Sequence, residues 1–218
     1  MTGAASVNAT ECVCVIDDDA GVRGSIGSLL RSIGYEVRLY DGPAAFLAAG
    51  APEVASCLVL DIRLSGESGL DFQERLAERG IAIPVVLITG HGDIPMTVRG
   101  MRAGAIDFLP KPFDDDQLLG AVAAAIAVDR ARRAQAAGTA DLKASFDRLT
   151  PREQEVMALV VTGLMNKQVA ARLGLSEITV KIHRGNVMRK MAAQSLADLV
   201  RMAEQLGVRD DGIHRYKS

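Results

Sequence analysis

Two adjacent carboxylates (Asp17, Asp18), a lone Asp61, the hydroxyl of Thr89 and the ammonium of Lys111 stand at or just after the ends of four short apolar runs. The runs are Val13 to Ile16, Cys57 to Leu60, Val85 to Ile88 and Ala105 to Leu109. Runs of this length read as buried strands. Parallel strands of an open α/β sheet present their carboxyl ends along one edge, where ligands bind. Carboxylates gathered at that edge repel one another and call for a cation. Their hard oxygens suit Mg²⁺, with Asp18 and Asp61 as direct ligands, Asp17 acting through water, and the Arg63 backbone carbonyl supplying a further oxygen. Thr89 would donate its hydroxyl to a phosphoryl oxygen and Lys111 would neutralise another. Positioning and charge neutralisation are most of what phosphoryl transfer demands. Asp61 is the expected phosphoacceptor.

The elements needed to place these groups are visible in the periodicity. Strands are predicted over 12–16, 36–40, 57–61, 84–89 and 105–109. Amphipathic helices are predicted over 20–33, 43–49, 68–79, 94–103 and 115–128. Five such units give an α/β fold, a flavodoxin-like doubly wound five-stranded parallel sheet of order 2-1-3-4-5, over residues 11–128. Gly24 and Gly27 within the first helix are expected to serve close packing. From 129 to 148 large apolar residues are few, and Gly138-Thr139 is expected to interrupt a helical linker. Residues 149–208 form a second, all-α domain of four helices: 151–162, 166–173, 177–191 and 195–206. It opens on Thr150-Pro151-Arg152-Glu153, a capping box with proline in the first turn.

Net charge divides along the same boundary. Residues 1–128 carry 9 Lys+Arg against 17 Asp+Glu, and residues 129–218 carry 16 against 10. The basic half is expected to meet a polyanion. Within it, the helices 166–173 and 177–191, joined by Gly174-Leu175-Ser176, outline a helix-turn-helix. On a helical wheel Val180, Val187 and Met191 face the core. Ile178, Lys181, Ile182, Gly185, Asn186 and Arg189 fall toward the opposite face. Isoleucines beside Lys and Arg suit a major groove with its thymine methyls. Gly185 would allow close approach of backbone to duplex, while His183 lies at the core edge.

The three cysteines (Cys12, Cys14, Cys57) fall in predicted strands and read as small core residues. No run approaches the ~18 apolar residues of a membrane span. The N-terminus has no basic segment followed by an apolar core, so a cytoplasmic location is expected.

The strings VIDDD, VLDIRLSGESGLDF and ITGHGDIPMTVRGMRAGAIDFLPKPF over residues 11–128 resemble a response-regulator receiver domain. LTPREQEVMALVVTGLMNKQVAARLGLSEITVKIHRGNVMRKM resembles the LuxR-type helix-turn-helix, and the combination resembles the NarL/FixJ class. The resemblance implies that a sensor histidine kinase phosphorylates Asp61. Asp17 and Asp18 would then be the acid pair, Thr89 and Lys111 the switch pair, and Phe108 the aromatic switch. His91 would be a surface residue of the loop after Thr89. It further implies phosphorylation-dependent homodimerisation, binding to double-stranded promoter DNA and contact with RNA polymerase. By the family's pattern Lys181, Ile182 and Gly185 would occupy base-reading positions. Asn166, Lys167 and Arg189 approach the DNA backbone, and Thr179 and Asn186 complete the set. Ser65 stands where the family usually has proline, and Glu67 where an apolar residue is common; neither change removes a ligand.

Other functions fit less well. Aspartyl-phosphate phosphatases usually carry a second Asp two residues on, where this chain has Arg63. An ATP-driven activator would need a G-x-x-x-x-G-K-[ST] loop, which is absent. A ligand- or partner-gated DNA-binding regulator whose acid pocket is not phosphorylated is the alternative.

Overall fold

A computed structural model describes residues 11–90 and 94–208. The chain divides into two compact units between Arg133 and Ala134.

The first unit alternates strand and helix. Its elements are β1 (Cys12–Ile16), α1 (Ala20–Ser32), β2 (Glu36–Tyr40), α2 (Pro43–Ala49), β3 (Ser56–Asp61), α3 (Gly69–Glu78), β4 (Val85–Thr89), α4 (Ile94–Arg102), β5 (Asp107–Pro110) and α5 (Asp115–Asp147). The sheet order is β2-β1-β3-β4-β5, all pairs parallel. Strands β1, β3 and β4 are buried along their whole length, as central parallel strands covered on both faces must be. Alternate residues feed two cores. Cys12, Cys14, Ile16, Leu58, Leu60 and Leu87 meet Phe46, Phe72 and Leu76 on one face. Val13, Val15, Cys57, Val59, Val86 and Ile88 meet Ile26, Leu30, Leu118, Val122 and Ile126 on the other. The cysteines are free and buried, and burial pushes the Cys57 thiol up.

Helix α5 runs well past the expected end at 128, and the break expected at Gly138-Thr139 does not occur. One interior glycine costs about 1 kcal/mol, which the surrounding alanines offset. The Thr139 hydroxyl donates to the Gln135 carbonyl at 3.0 Å and so stays within the helix. Of the two glycines in α1, Gly27 does sit against Leu39, as expected from close packing. A Cβ at Gly24 would meet nothing, so packing does not explain it.

Asp129 of α5 is a fully buried carboxylate at the amino end of β3. It accepts from the Ser56 backbone N–H (2.9 Å), Arg132 (2.5 Å) and Arg133 (2.7 Å). Arg133 also donates to the carbonyls of Pro52 and Glu53. Burial opposes ionisation of Asp129, but Arg133, Arg132 and the Ser56 N–H outweigh it and hold the carboxyl below its ordinary range. The stabilisation is therefore present above the ordinary carboxylate range and is lost as pH falls through the depressed value. Asp129→Ala leaves the Ser56 N–H unpaired and is expected to cost about 2–3 kcal/mol at neutral pH. In denaturant titrations the gap from wild type should narrow in acid; a constant gap would assign the loss to packing.

The second unit carries the end of α5 and α6 (Pro151–Val160), α7 (Asn166–Leu173), α8 (Glu177–Lys190) and α9 (Leu196–Leu206). The capping box is present: Thr150 Oγ1 accepts from Glu153 N–H and Glu153 from Thr150 N–H. Val156, Met157, Val169, Val180, Val187, Met191 and Leu199 form its core. Gly174 ends α7 in the left-handed conformation, φ 65°, and Ser176 caps α8 by accepting from Thr179 N–H.

Candidate functional site

The carboxyl edge of the sheet collects the acidic groups. Asp17 leaves β1, Asp61 ends β3 and Thr89 ends β4, all three buried; Asp18 is exposed. One carboxylate oxygen each from Asp17, Asp18 and Asp61 lies within 4.8 Å of the others. The Lys111 ammonium reaches across from the loop after β5, 2.8 Å from Asp17 Oδ2 and 2.5 Å from Asp61 Oδ2. The Lys111 backbone is tied to the end of β4: its N–H donates to the Thr89 carbonyl at 2.7 Å.

Backbone donors orient the other carboxylate oxygens. Asp19 N–H donates to Asp17 Oδ1 and Arg63 N–H to Asp61 Oδ1, each at 2.9 Å. Asp19 itself caps α1 through Gly21 and Val22 N–H, at 2.7 and 3.0 Å. Burial pushes the Asp17 carboxyl up, against the pull of Lys111. Burial also works to lower the Lys111 pKa, but the bonds it donates to Asp17 and Asp61 outweigh it and hold the ammonium above its usual range. The Ser65 hydroxyl lowers the Asp18 carboxyl. A cluster of hard oxygen donors around a single ammonium is a setting that fits Mg²⁺ and a phosphoryl group.

The loop from β3 to α3 is tied at several points. Arg63 and Ser68 form an antiparallel bridge, Gly69 N–H donates to the Ile62 carbonyl at 2.8 Å, and Glu67 pairs with Arg75. Ser65 donates to Asp18 from both its N–H and its hydroxyl. Sequence reasoning treated Ser65 and Glu67 only as departures; their partners lie 47 and 8 residues away. Gly69 was also missed. A Cβ there would lie 2.2 Å from the Asp61 carbonyl oxygen. Phe108 is half-buried against the core on the α2–α4 side, in register with Leu87. His91 lies outside the described residues.

On the second unit, α8 divides as the wheel predicts. Val180, Val187 and Met191 are buried, whereas Ile178 and Ile182 are 73 % and 60 % exposed. Lys181, Gly185 and Arg189 are exposed on the same helix, and a Cβ at Gly185 would meet nothing among the described residues. Arg189 donates to Asn186 (3.1 Å), and Thr179 pairs with the Ser176 hydroxyl (2.8 Å). At the start of α7 Lys167 is exposed. Asn166 accepts from Arg184 at 3.2 Å, an intramolecular pair that the sequence did not suggest. His183 is half-buried, with Nδ1 buried and without a hydrogen-bond partner among the described residues.

Comparison with known proteins decides the family. Residues 13–123 match the model of the response regulator receiver domain, and residues 147–203 that of the LuxR family of bacterial regulatory proteins. This chain belongs to the NarL/FixJ class of response regulators. Among relatives, Nodulation protein W of Bradyrhizobium diazoefficiens is 59 % identical over 196 residues, covering 90 % of this chain and 86 % of the relative. The transcriptional regulatory protein FixJ of Azorhizobium caulinodans is 44 % identical, with 90 % and 93 % covered. The solved structure of the response regulator StyR superposes with a TM-score of 0.82 at 48 % identity, covering 90 % of this chain and all of that one. This response regulator is thus a two-component transcription regulator with a helix-turn-helix, in a family of transcription factors and not of classical enzymes. Among its described residues no helix is long and apolar enough to cross a membrane.

Proposed function

We propose that this response regulator is a cytoplasmic transcription factor switched by phosphorylation of Asp61. The observation that carries the reading is the Lys111 ammonium bonded to both Asp17 and Asp61 at one sheet edge, with Asp18 beside them. In the transfer, an Asp61 carboxylate oxygen attacks the phosphorus of a phosphohistidine on a sensor kinase. The P–O bond forms, the P–N bond breaks, and the electron pair leaves with the imidazole. Asp17, Asp18, Asp61 and the Arg63 carbonyl would hold Mg²⁺, which supplies positive charge beside the phosphoryl oxygens. Lys111 turns from its carboxylate partners to one phosphoryl oxygen, and Thr89 donates its hydroxyl to another. Phe108 follows Thr89 inward, and the changed receiver surface pairs two copies on a two-fold promoter site, from which RNA polymerase is regulated.

On the DNA side, Lys181, Ile182 and Gly185 face base edges, with Thr179 and Asn186 beside them. Asn166, Lys167 and Arg189 meet phosphates. Treating the protein with a small phosphodonor and Mg²⁺ is expected to convert monomer to dimer in solution and to tighten binding to a selected duplex. Unchanged mass and unchanged affinity after full phosphorylation would refute the switch. Lys181→Ala is expected to weaken that binding by about 1–3 kcal/mol and to relax discrimination at one base position. A footprint and affinity equal to wild type would remove Lys181 from the interface.

A further inference from the structure

We propose that Ser65 is a positioning residue for cation binding, holding Asp18 ready toward Asp61 before any metal arrives. Both Ser65 donors converge on one oxygen: its N–H lies 3.1 Å and its hydroxyl 2.6 Å from Asp18 Oδ2. The inference rests on the Mg²⁺ reading given above.

The three carboxylates are not held alike. Asp17 and Asp61 are buried, and Lys111 with a local N–H fixes each of them. Asp18 is exposed, on the loop after β1. An exposed aspartate is free to exchange among its staggered rotamers, and a cation that recruits it must stop that motion. Ser65 stops it in advance, across 47 residues of sequence, and ties the loop after β1 to the loop that follows Asp61 at the end of β3. Two donors already share Oδ2, which leaves Oδ1 as the freer oxygen to offer a cation. Hydrogen bonds to Oδ2 also draw some charge from Oδ1 through the shared carboxylate, so prearrangement must outweigh that loss, which the Ser65→Ala comparison reads directly. Proline at this position has neither an N–H nor a hydroxyl and could make neither bond. Ser65 is not itself a ligand; it acts only through Asp18.

The full chain, ¹⁵N-labelled, can be titrated with MgCl₂ alone while amide shifts near the acidic edge are followed. Ser65→Thr keeps both donors, and its dissociation constant should match wild type within about twofold. Ser65→Ala loses the hydroxyl and should bind about threefold more weakly; Ser65→Pro loses both donors and should bind about tenfold more weakly. If Ser65→Pro fails to fold, the alanine and threonine pair carries the test. Wild type binding Mg²⁺ with Ser65→Ala equal or tighter would overturn this proposal alone. Wild type showing no Mg²⁺-dependent shifts at this edge would overturn the metal reading and the proposal together.

Discussion

Alanine at position 69 is expected to destabilise the receiver by about 3 kcal/mol or more, because the added methyl group has nowhere to go. Its Cβ would sit 2.2 Å from the Asp61 carbonyl oxygen, 2.9 Å from Ile62 Cα and 3.0 Å from the Asp61 carbonyl carbon. All three atoms are backbone, so no side chain can swing aside. The chain must open between the end of β3 and the start of α3, breaking the bond from Gly69 N–H to the Ile62 carbonyl. Asp61 would move with it, and phosphoryl uptake should fall along with stability. Gly24→Ala is the control, since its Cβ meets nothing and helix propensity favours alanine by about 1 kcal/mol. Urea midpoints of the two variants should therefore shift in opposite directions. An unchanged midpoint for Gly69→Ala would show that the close approach is not a constraint.

The sheet and its acidic edge could be read from sequence because buried parallel strands are near-continuous apolar runs. Such a run ends visibly where a polar group such as Asp61 or Thr89 begins. The same logic explains where the reading slipped. β3 starts one residue earlier than expected, at Ser56, a polar residue whose N–H is taken by Asp129 from 73 residues away. β5 starts later than expected, at Asp107, because the Ala105 N–H still donates to the carbonyl of Gly100 in the last turn of α4. The helix expected from sequence ends at 128, where large apolar residues become few, and the linker is expected to break at Gly138, but α5 continues through both, since a single glycine among alanines costs little.

At the site, the residue types were legible and their mutual ties were not. Asp17, Asp18, Asp61 and Lys111 could be named from strand ends. That Lys111 bonds two of them, and Ser65 the third, depends on long-range approach that no local pattern encodes. The helix-turn-helix was easier, since its core and open faces follow from one helical period. Val180, Val187 and Met191 went inside, and Ile178 and Ile182 stayed outside.

Removal of the Asp61 carboxylate should have the largest effect of any single change on phosphorylation. Asp17 is buried against Lys111 and oriented by the Asp19 N–H, and Asp18 is turned toward Ser65, so neither is placed to substitute as acceptor. Asp61→Ala also removes one of the two carboxylates on Lys111, leaving a cation beside Asp17 alone. The fold should survive, because the side chain lies at the sheet edge and its backbone bonds remain. The decisive measurement incubates wild type and Asp61→Ala, full length, with a labelled small phosphodonor and Mg²⁺ and follows label retained on the protein. The phosphoacceptor account predicts that wild type takes up a base-labile phosphoryl group and that the variant, folded by circular dichroism, retains essentially none. Equal labelling of the two proteins would contradict it.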